Sequence, residues 1–219
     1  MAAHQYFNAA GKRLPGVTTV LGTGLGWSKD ALLIWANREG LAGRDLEAAR
    51  DIAAGIGTIV HAMIEASVKG ETYTLAAVPE DMATAAAQSF GAWEKWKRAN
   101  VAEVIASEVS IVSESMQCGG TADMVYLNQD GRRCMFDVKT GRGVYAEHVL
   151  QVAAYGSLWN EAHPDEPIEE YVVLRVDRDT GRRVNREWTA AELDTPCRAP
   201  FEAALVSYRA KRTIEDLLR

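Results

Sequence analysis

Cysteine is scarce in this chain, and long apolar runs are absent from its sequence pattern. The three cysteines, Cys118, Cys134 and Cys197, are widely spaced and include no Cys-x-x-Cys pair. Iron–sulfur clusters and structural zinc sites depend on closely spaced cysteines, so we predict neither cofactor. No stretch approaches the roughly 20 apolar residues of a transmembrane helix, and no signal peptide is recognisable. We therefore expect a cytoplasmic protein without a membrane partner.

Basic residues are also in the minority. The 24 Lys and Arg are outnumbered by 30 Asp and Glu, which gives a net charge of -6 and argues against a passive nucleic-acid coat. The length of 219 residues and the 47% hydrophobic content are typical of one globular domain. We predict a single domain, 1–219. It comprises a mainly helical part at 1–105, a sheet and helix at 106–188, and a C-terminal helix at 189–219.

Three runs rich in β-branched and apolar residues predict consecutive strands at Glu108–Val112, Thr121–Leu127 and Arg132–Val138. The sequence Asn128-Gln129-Asp130-Gly131 predicts a tight turn between the second and third strands, because glycine adopts positive φ at no steric cost. We expect the strands to be antiparallel. A helical period then runs from Glu147 to Ala162.

Carboxylates and a lysine converge on these elements. Side chains alternate along a strand, so Asp137 and Lys139 share a face, and the turn brings Asp123 onto the neighbouring strand. Gln151 and Tyr155 share one face of the following helix. Magnesium prefers oxygen ligands, and a nearby ammonium can orient water or balance negative charge. An isolated Asp-x-Lys is usually a solvated ion pair, but the complete series favours metal-assisted phosphodiester hydrolysis.

The series resembles a known family. Gly120-Thr121-Ala122-Asp123, Asp137-Val138-Lys139 and Gln151-Val152-Ala153-Ala154-Tyr155 are similar in order and spacing to the motifs of the PD-(D/E)XK nuclease superfamily, specifically its RecB-like exonuclease branch. The segment Gly57–Glu65 resembles that branch's upstream histidine motif, with His61 as the ligand. Further matches are Glu108 at the first core strand and the Pro-x-Val-Thr stretch from Pro15. The resemblance includes phage-type exonucleases and the mitochondrial genome maintenance exonuclease.

The resemblance implies an α/β fold with a restriction-endonuclease-like core, in which helices flank a central mixed sheet and the N-terminal part is helical. It also implies Mg²⁺ or Mn²⁺ as the cofactor and no iron–sulfur cluster. The implied metal ligands are His61, Asp123, Asp137 and Val138. The implied catalytic residues are Asp123, Asp137, Lys139, Gln151, Tyr155 and Glu108. In this scheme Lys139 activates or orients the attacking water, and the glutamine and tyrosine position the scissile strand or Lys139.

The expected activity is that of a metal-dependent DNA exonuclease in phage recombination or replication. The expected partners are DNA and a phage single-strand annealing or binding protein, in the cytoplasm of a bacterial host or from a prophage. A structure-specific or restriction-type endonuclease would use the same residues and is one alternative. A non-catalytic DNA-binding adaptor with a nuclease fold is the other, since fold alone does not establish activity.

Two basic clusters are further candidates for DNA contact. Lys95, Lys97 and Arg98 accompany Trp93 and Trp96, a combination that suits base stacking, although tryptophans at this spacing are more often core anchors. A second cluster lies on a predicted hairpin and contains Arg182, Arg183 and Arg186.

Near the N-terminus, the glycine-rich segment 22–26 predicts a flexible loop. Ser28 is the predicted N-cap of a helix at 29–38, and Thr18 and Thr19 are candidate phosphate contacts.

Overall fold

The structure is a computed structural model that describes residues 4–27 and 29–219. The chain opens with a two-stranded antiparallel hairpin, β1 (Tyr6–Phe7) and β2 (Arg13–Leu14). Four helices follow. They are α1 (Val17–Gly24), α2 (Lys29–Leu41), α3 (Leu46–Lys69) and α4 (Glu80–Asn100). Ser28, the predicted N-cap of α2, lies outside the described residues.

A five-stranded sheet forms the centre of the molecule. Its strands are β3 (Val101–Ser113), β4 (Cys118–Asn128), β5 (Arg133–Lys139), β6 (Glu170–Val176) and β7 (Arg183–Thr189), in the order β3-β4-β5-β6-β7. Strands β5 and β6 are parallel, and the other neighbours are antiparallel. Helix α5 (Ala146–Ala162) connects the two parallel strands, and α6 (Ala190–Leu217) follows β7. The fold is therefore mixed α/β, with a mixed sheet flanked by helices.

Each face of the sheet buries its own apolar core. Helices α1, α5 and α6 contribute Val17, Leu158 and Phe201 to one core, together with Val125 of the sheet. Helices α3 and α4 build the other core, whose members include Val60, Trp93, Trp96, Phe136 and Leu174. Two helical layers around one sheet give the chain enough buried apolar surface for a stable domain.

The two tryptophans of α4 belong to the second core. Trp93 and Trp96 are 0% and 2% exposed, and the Trp96 ring stacks on Phe136 with centroids 4.6 Å apart. Buried rings cannot receive unpaired bases, so the base-stacking hypothesis for these residues is wrong and the core-anchor alternative is confirmed. Lys95 and Arg98 remain exposed on the same helix.

Helix α3 is capped at both ends. The Asp45 side chain accepts a hydrogen bond from the Ala48 backbone N–H at 2.7 Å, and Gly70 ends the helix with a φ of 73°. By length and composition alone this helix could cross a membrane, with a mean hydropathy of 1.3 over its most apolar window, so the expectation that no segment reaches that limit is wrong. The reason is that its charged residues cluster near its two ends. In this fold its apolar side packs against α4 and the sheet.

Several predicted elements are confirmed and two are corrected. The three central strands, the turn with Gly131 at φ 78° and the helix after them are all present, and β3 extends from Val101, before the predicted boundary at residue 105. The predicted loop at 22–26 is wrong, because α1 continues to Gly24. A Cβ at Gly24 would lie 2.5 Å from the Ala204 carbonyl oxygen, so the glycine permits a close crossing of α1 and α6. This tertiary contact has no local sequence signal.

Candidate metal centre

The site lies where two neighbouring strands separate. The pairing of β4 with β5 runs from Leu127 and Arg133 to Met124 and Phe136, and then ends. Beyond this point β4 remains paired with β3, and β5 remains paired with β6. The first residues past the last pair are Asp123 and Asp137. Both carboxylates therefore face the notch that opens between the strands.

Asp123 replaces a missing strand partner inside this notch. Its Oδ2 accepts a hydrogen bond from the Val138 backbone N–H at 2.7 Å. A buried N–H without a partner would be costly, so the carboxylate stabilises the point at which the ladder opens. The Val138 side chain is 0% exposed in the core, which leaves only the main chain of this residue to face the site.

Three potential metal ligands meet at the other oxygen of Asp123. His61 Nδ1 lies 3.3 Å from Asp123 Oδ1 and 3.8 Å from Glu108 Oε1. The ligand atoms of these three residues lie within 4.8 Å of one another. An imidazole and two carboxylates form a donor set that can hold a divalent cation.

Glu108 reaches this group from a strained backbone. It lies between the pairs Ser107–Met124 and Val109–Ala122, opposite Asp123, and has a φ of 47°. Positive φ is uncommon for a residue with a side chain and costs about 1–3 kcal/mol. The strained residue within β3 is thus one of the candidate ligands.

Asp137 has a different set of partners. Lys139 Nζ donates a hydrogen bond to Asp137 Oδ1 at 2.9 Å and lies 2.8 Å from Oδ2. Gln151 Nε2 lies 3.3 Å from Asp137 Oδ1 and donates to the Tyr155 hydroxyl at 2.9 Å. Asp137 Oδ2 is buried, and its polar contact among the described residues is the Lys139 ammonium. Helix α5 thereby holds the amide of Gln151 between the carboxylate and the tyrosine.

The two aspartates have opposite pKa shifts. Burial opposes ionisation of Asp123, but His61, Lys139 and the Val138 N–H together hold its pKa below the usual range. Burial raises the pKa of Asp137 to about 6, against the attraction of Lys139 and with the help of the Asp123 charge. Both carboxylates lie in the same notch, so the direction of each pKa shift depends on how close the cationic groups lie to that carboxylate.

The two cationic groups are both shifted upward. Burial disfavours the imidazolium of His61, but the Asp123 carboxylate and the hydrogen bonds of Asp123 and Glu108 outweigh it and raise the pKa to about 10. Burial likewise opposes the charge on Lys139, while Asp137 and Asp123 raise its pKa above the ordinary value. Without a metal, both cationic groups therefore keep their protons at neutral pH.

Close packing fixes the helix that carries Gln151. A Cβ at Gly120 on β4 would lie 2.5 Å from the Tyr155 ring, so this position must be glycine for α5 to sit at its present distance. The structure thus brings together all the predicted site side chains. His61, Glu108 and Asp123 form one group, and Asp137, Lys139, Gln151 and Tyr155 form the other.

The sequence did not single out two residues beside the site. The Tyr6 hydroxyl lies 3.0 Å from Thr121 Oγ1, and the Tyr6 ring covers Gly119, where any Cβ would overlap it. His148 accepts a hydrogen bond from the Tyr145 backbone N–H at 3.3 Å, and its pKa is lowered to about 4 by burial and by the Lys139 charge. His148 lies three residues before Gln151 on α5, and this helical spacing could have indicated that both face the site. No sequence pattern indicated Tyr6.

The remaining candidates lie elsewhere. Lys95 of α4 and Arg183 of β7 line a cavity of about 530 Å³, so the fold joins the two predicted basic clusters.

Cys118 and Cys134 are buried, Cys197 is half-buried, and burial raises the pKa values of the first two thiols to about 11 and about 12. The expected absence of an iron–sulfur cluster stays a prediction.

Comparisons with known proteins give little further guidance. Neither the protein-family models nor the curated proteins contain a match to this chain. Among solved structures, SSO0001 has 17% sequence identity and a TM-score of 0.33, with 61% of this chain and 66% of that chain covered. LHK-Exo in complex with dAMP has 14% identity and a TM-score of 0.36, with 74% and 86% covered. Likenesses of this size do not assign a fold family or an activity to this chain.

Proposed function

We propose that this protein is a metal-dependent DNA exonuclease of the PD-(D/E)XK superfamily, in its RecB-like branch. The observation that carries the proposal is the notch between β4 and β5, where a potential His–Glu–Asp metal group adjoins the buried Asp137–Lys139 pair. The sequence motifs that resemble the family supply the same residues in the same order. A purely structural ion pair would need neither the strained Glu108 nor the histidine.

The donor set fits Mg²⁺ or Mn²⁺. His61, Glu108 and Asp123 would hold the ion, and Asp137 offers a further buried carboxylate. Val138 would contribute through its main chain. When bound, such an ion lowers the pKa of water and stabilises the attacking and leaving oxygens of a phosphodiester. The predominance of oxygen donors favours these hard cations over softer ones.

The side chains of the Asp137 group would prepare the reaction. Lys139 stays protonated because its pKa is raised, so its ammonium can orient a water molecule or balance charge that develops on the phosphate. The Gln151 amide lies within hydrogen-bond distance of Asp137 and donates to the Tyr155 hydroxyl, which limits rotation of the carboxylate. Pre-organisation of this kind costs no rearrangement during the reaction.

Digestion of end-labelled DNA tests the proposal. Wild type and Asp137→Ala would be incubated with linear single-stranded, linear double-stranded and closed circular DNA, in Mg²⁺, Mn²⁺ or EDTA. Asp165→Ala is the matched control, because Asp165 is an exposed aspartate outside the site. We expect metal-dependent loss of linear DNA with wild type and the control but not with Asp137→Ala, whose circular dichroism should be unchanged.

Other outcomes separate the alternatives. Cutting of closed circles would identify an endonuclease with the same site. An absence of cleavage by wild type on every substrate would favour a DNA-binding adaptor, and normal cleavage by Asp137→Ala would refute the proposed site.

The cellular setting is a separate part of the proposal. We assign the activity to the cytoplasm and to a phage recombination or replication module, with a single-strand annealing or binding protein as partner. Its support is the resemblance of the motifs to phage-type exonucleases. Faster digestion in the presence of a purified phage annealing protein would support the partnership, and an unchanged rate would count against it.

A further inference from the structure

A large cleft borders the metal centre on the side of the N-terminal hairpin. Its volume is about 1040 Å³, and its walls are the β1–β2 hairpin, the start of α1, the β3–β4 turn and one face of α6. The α6 residues on this wall include Tyr208, Arg209, Arg212 and Asp216, whose spacing puts them on one side of the helix. The two main walls come from opposite ends of the sequence.

The cleft is basic, although the whole chain is acidic. Four cationic side chains line it together with one carboxylate, Asp216, and Arg212 also pairs with Glu215 at 3.2 Å. The cations are Lys12, Arg13, Arg209 and Arg212. The chain as a whole has a net charge of -6, so the excess of positive charge in the cleft is opposite in sign to the charge of the whole chain. A cleft lined by cations attracts a polyanion and raises its local concentration.

The cleft approaches the metal centre through Tyr6. Tyr6 lines the cleft, and its hydroxyl lies 3.0 Å from Thr121 Oγ1. Thr121 precedes Asp123 by two residues on β4, which is about 7 Å along a strand that rises about 3.3 Å per residue. That separation is about one backbone repeat of an extended nucleic-acid strand, so a strand that follows the cleft past Tyr6 comes close to the site.

We propose that this cleft binds the phosphate backbone of single-stranded DNA that extends from the bond to be cleaved. The proposal rests on the proposed nuclease function for its choice of DNA. The cations track the phosphates, and the half-buried rings of Tyr6 and Tyr208 offer edges to unpaired bases. A duplex keeps its bases stacked inside and gains nothing from the two rings.

Fluorescence anisotropy with a labelled oligo-dT in EDTA tests the cleft without cleavage. Lys12→Ala/Arg212→Ala removes two exposed cations from it. Arg50→Ala/Arg198→Ala is the matched control, since these exposed arginines lie outside the cleft in loose ion pairs of 3.6 and 3.9 Å. We expect the cleft variant to bind about tenfold more weakly at low salt. The slope of log affinity against log salt should decrease by about 1.4, at roughly 0.7 per phosphate contact. The control should match wild type.

The possible outcomes distinguish a failure of the cleft proposal from a failure of the nuclease proposal. If wild type digests DNA but the cleft variant binds oligo-dT as tightly as the control, the cleft proposal is overturned and the nuclease stands. The same holds if the variant loses affinity for duplex but not for oligo-dT. If wild type neither binds nor digests linear DNA, both proposals fail.

Discussion

Two aspartates occupy equivalent places on neighbouring strands and behave in opposite ways. Asp123 faces His61, Glu108 and the Val138 N–H, and its pKa is lowered. Asp137 faces Lys139 and the α5 glutamine, and burial raises its pKa to about 6. The difference teaches that a carboxylate's role follows from its partners and not from its strand position. We interpret the Asp123 side as the cation-binding half and the Asp137 side as the half that prepares the water.

The largest effect should come from exchanging each aspartate for asparagine. Both Asp123→Asn and Asp137→Asn should reduce DNA cleavage on the order of 10³-fold. Only Asp123→Asn should also remove most of the Mn²⁺ affinity, because it weakens the His–Glu–Asp group. Isothermal titration with Mn²⁺ beside the cleavage assay measures both effects. A greater loss of Mn²⁺ affinity in Asp137→Asn would reverse the division of roles.

Removal of the ammonium should affect the Asp137 side most. Lys139→Met leaves a buried carboxylate without its cation, so we expect a cleavage loss of about 100-fold and destabilisation on the order of 3 kcal/mol at pH 8. The pKa of Asp137 is already above its ordinary value of 3.8, so its contribution to stability falls as the pH rises from about 4 to 6. The destabilisation by Lys139→Met should therefore be smaller at pH 4.

Urea unfolding at the two pH values checks this expectation in the metal-free protein. Lys211→Met is the control, because Lys211 is 57% exposed and pairs with Glu215 on the surface. Equal destabilisation at both pH values would show that the charge on Asp137 is not the cause.

Protons should compete with the metal on the Asp123 side. The pKa of His61 is raised from 6.5 to about 10, so the stability it contributes to the metal-free protein is complete below pH 6.5 and is lost as the pH rises through 10. Metal binding requires neutral imidazole, so Mn²⁺ affinity should rise by up to about tenfold per pH unit between pH 7 and 9. His61→Gln should flatten this dependence, whereas exposed His4→Gln should keep it. A steep dependence in His61→Gln would implicate another group.

The smallest expected effect tests whether α5 supports the Asp137 side of the site but not the Asp123 side. Gly120→Ala would force the Tyr155 ring away, which should cost about 1–3 kcal/mol and lower cleavage a few-fold while Mn²⁺ affinity is kept. Gly91→Ala is a matched change in open space on α4 and should stabilise the protein by up to about 1 kcal/mol. Thermal unfolding and metal titration distinguish the two. Equal stability of both variants would argue against the tight α5 contact.

Local patterns predicted the centre of the molecule well. The alternation of β4 and β5, the turn ending at Gly131 and the period of α5 depend on neighbours in sequence, and these elements form as predicted. The same patterns predicted the site residues that the fold brings together. His61 lies far from Asp123 in the sequence, and it was identified from the order of the motifs that resemble the family.

Features that depend on distant contacts could not be predicted. Residues 22–24 of the loop predicted at 22–26 are helical because α1 packs against α6, and Gly24 permits that contact. The strain at Glu108 arises from its place between two strand pairs, which no alternation pattern encodes. The basic cleft joins Lys12 to Arg212 across almost the whole sequence. Each of these depends on tertiary packing that overrides local preference.

The hydrogen bond from Val138 to Asp123 also sets the denticity of the site. One oxygen of the Asp123 carboxylate accepts a hydrogen bond from the backbone, which favours its other oxygen as the one offered to a cation. Ca²⁺ takes six to eight ligands and often uses both oxygens of a carboxylate, whereas Mg²⁺ accepts single oxygens in a tight octahedron. In the proposed site this geometry would favour Mg²⁺, and we expect Ca²⁺ to be the poorer activator.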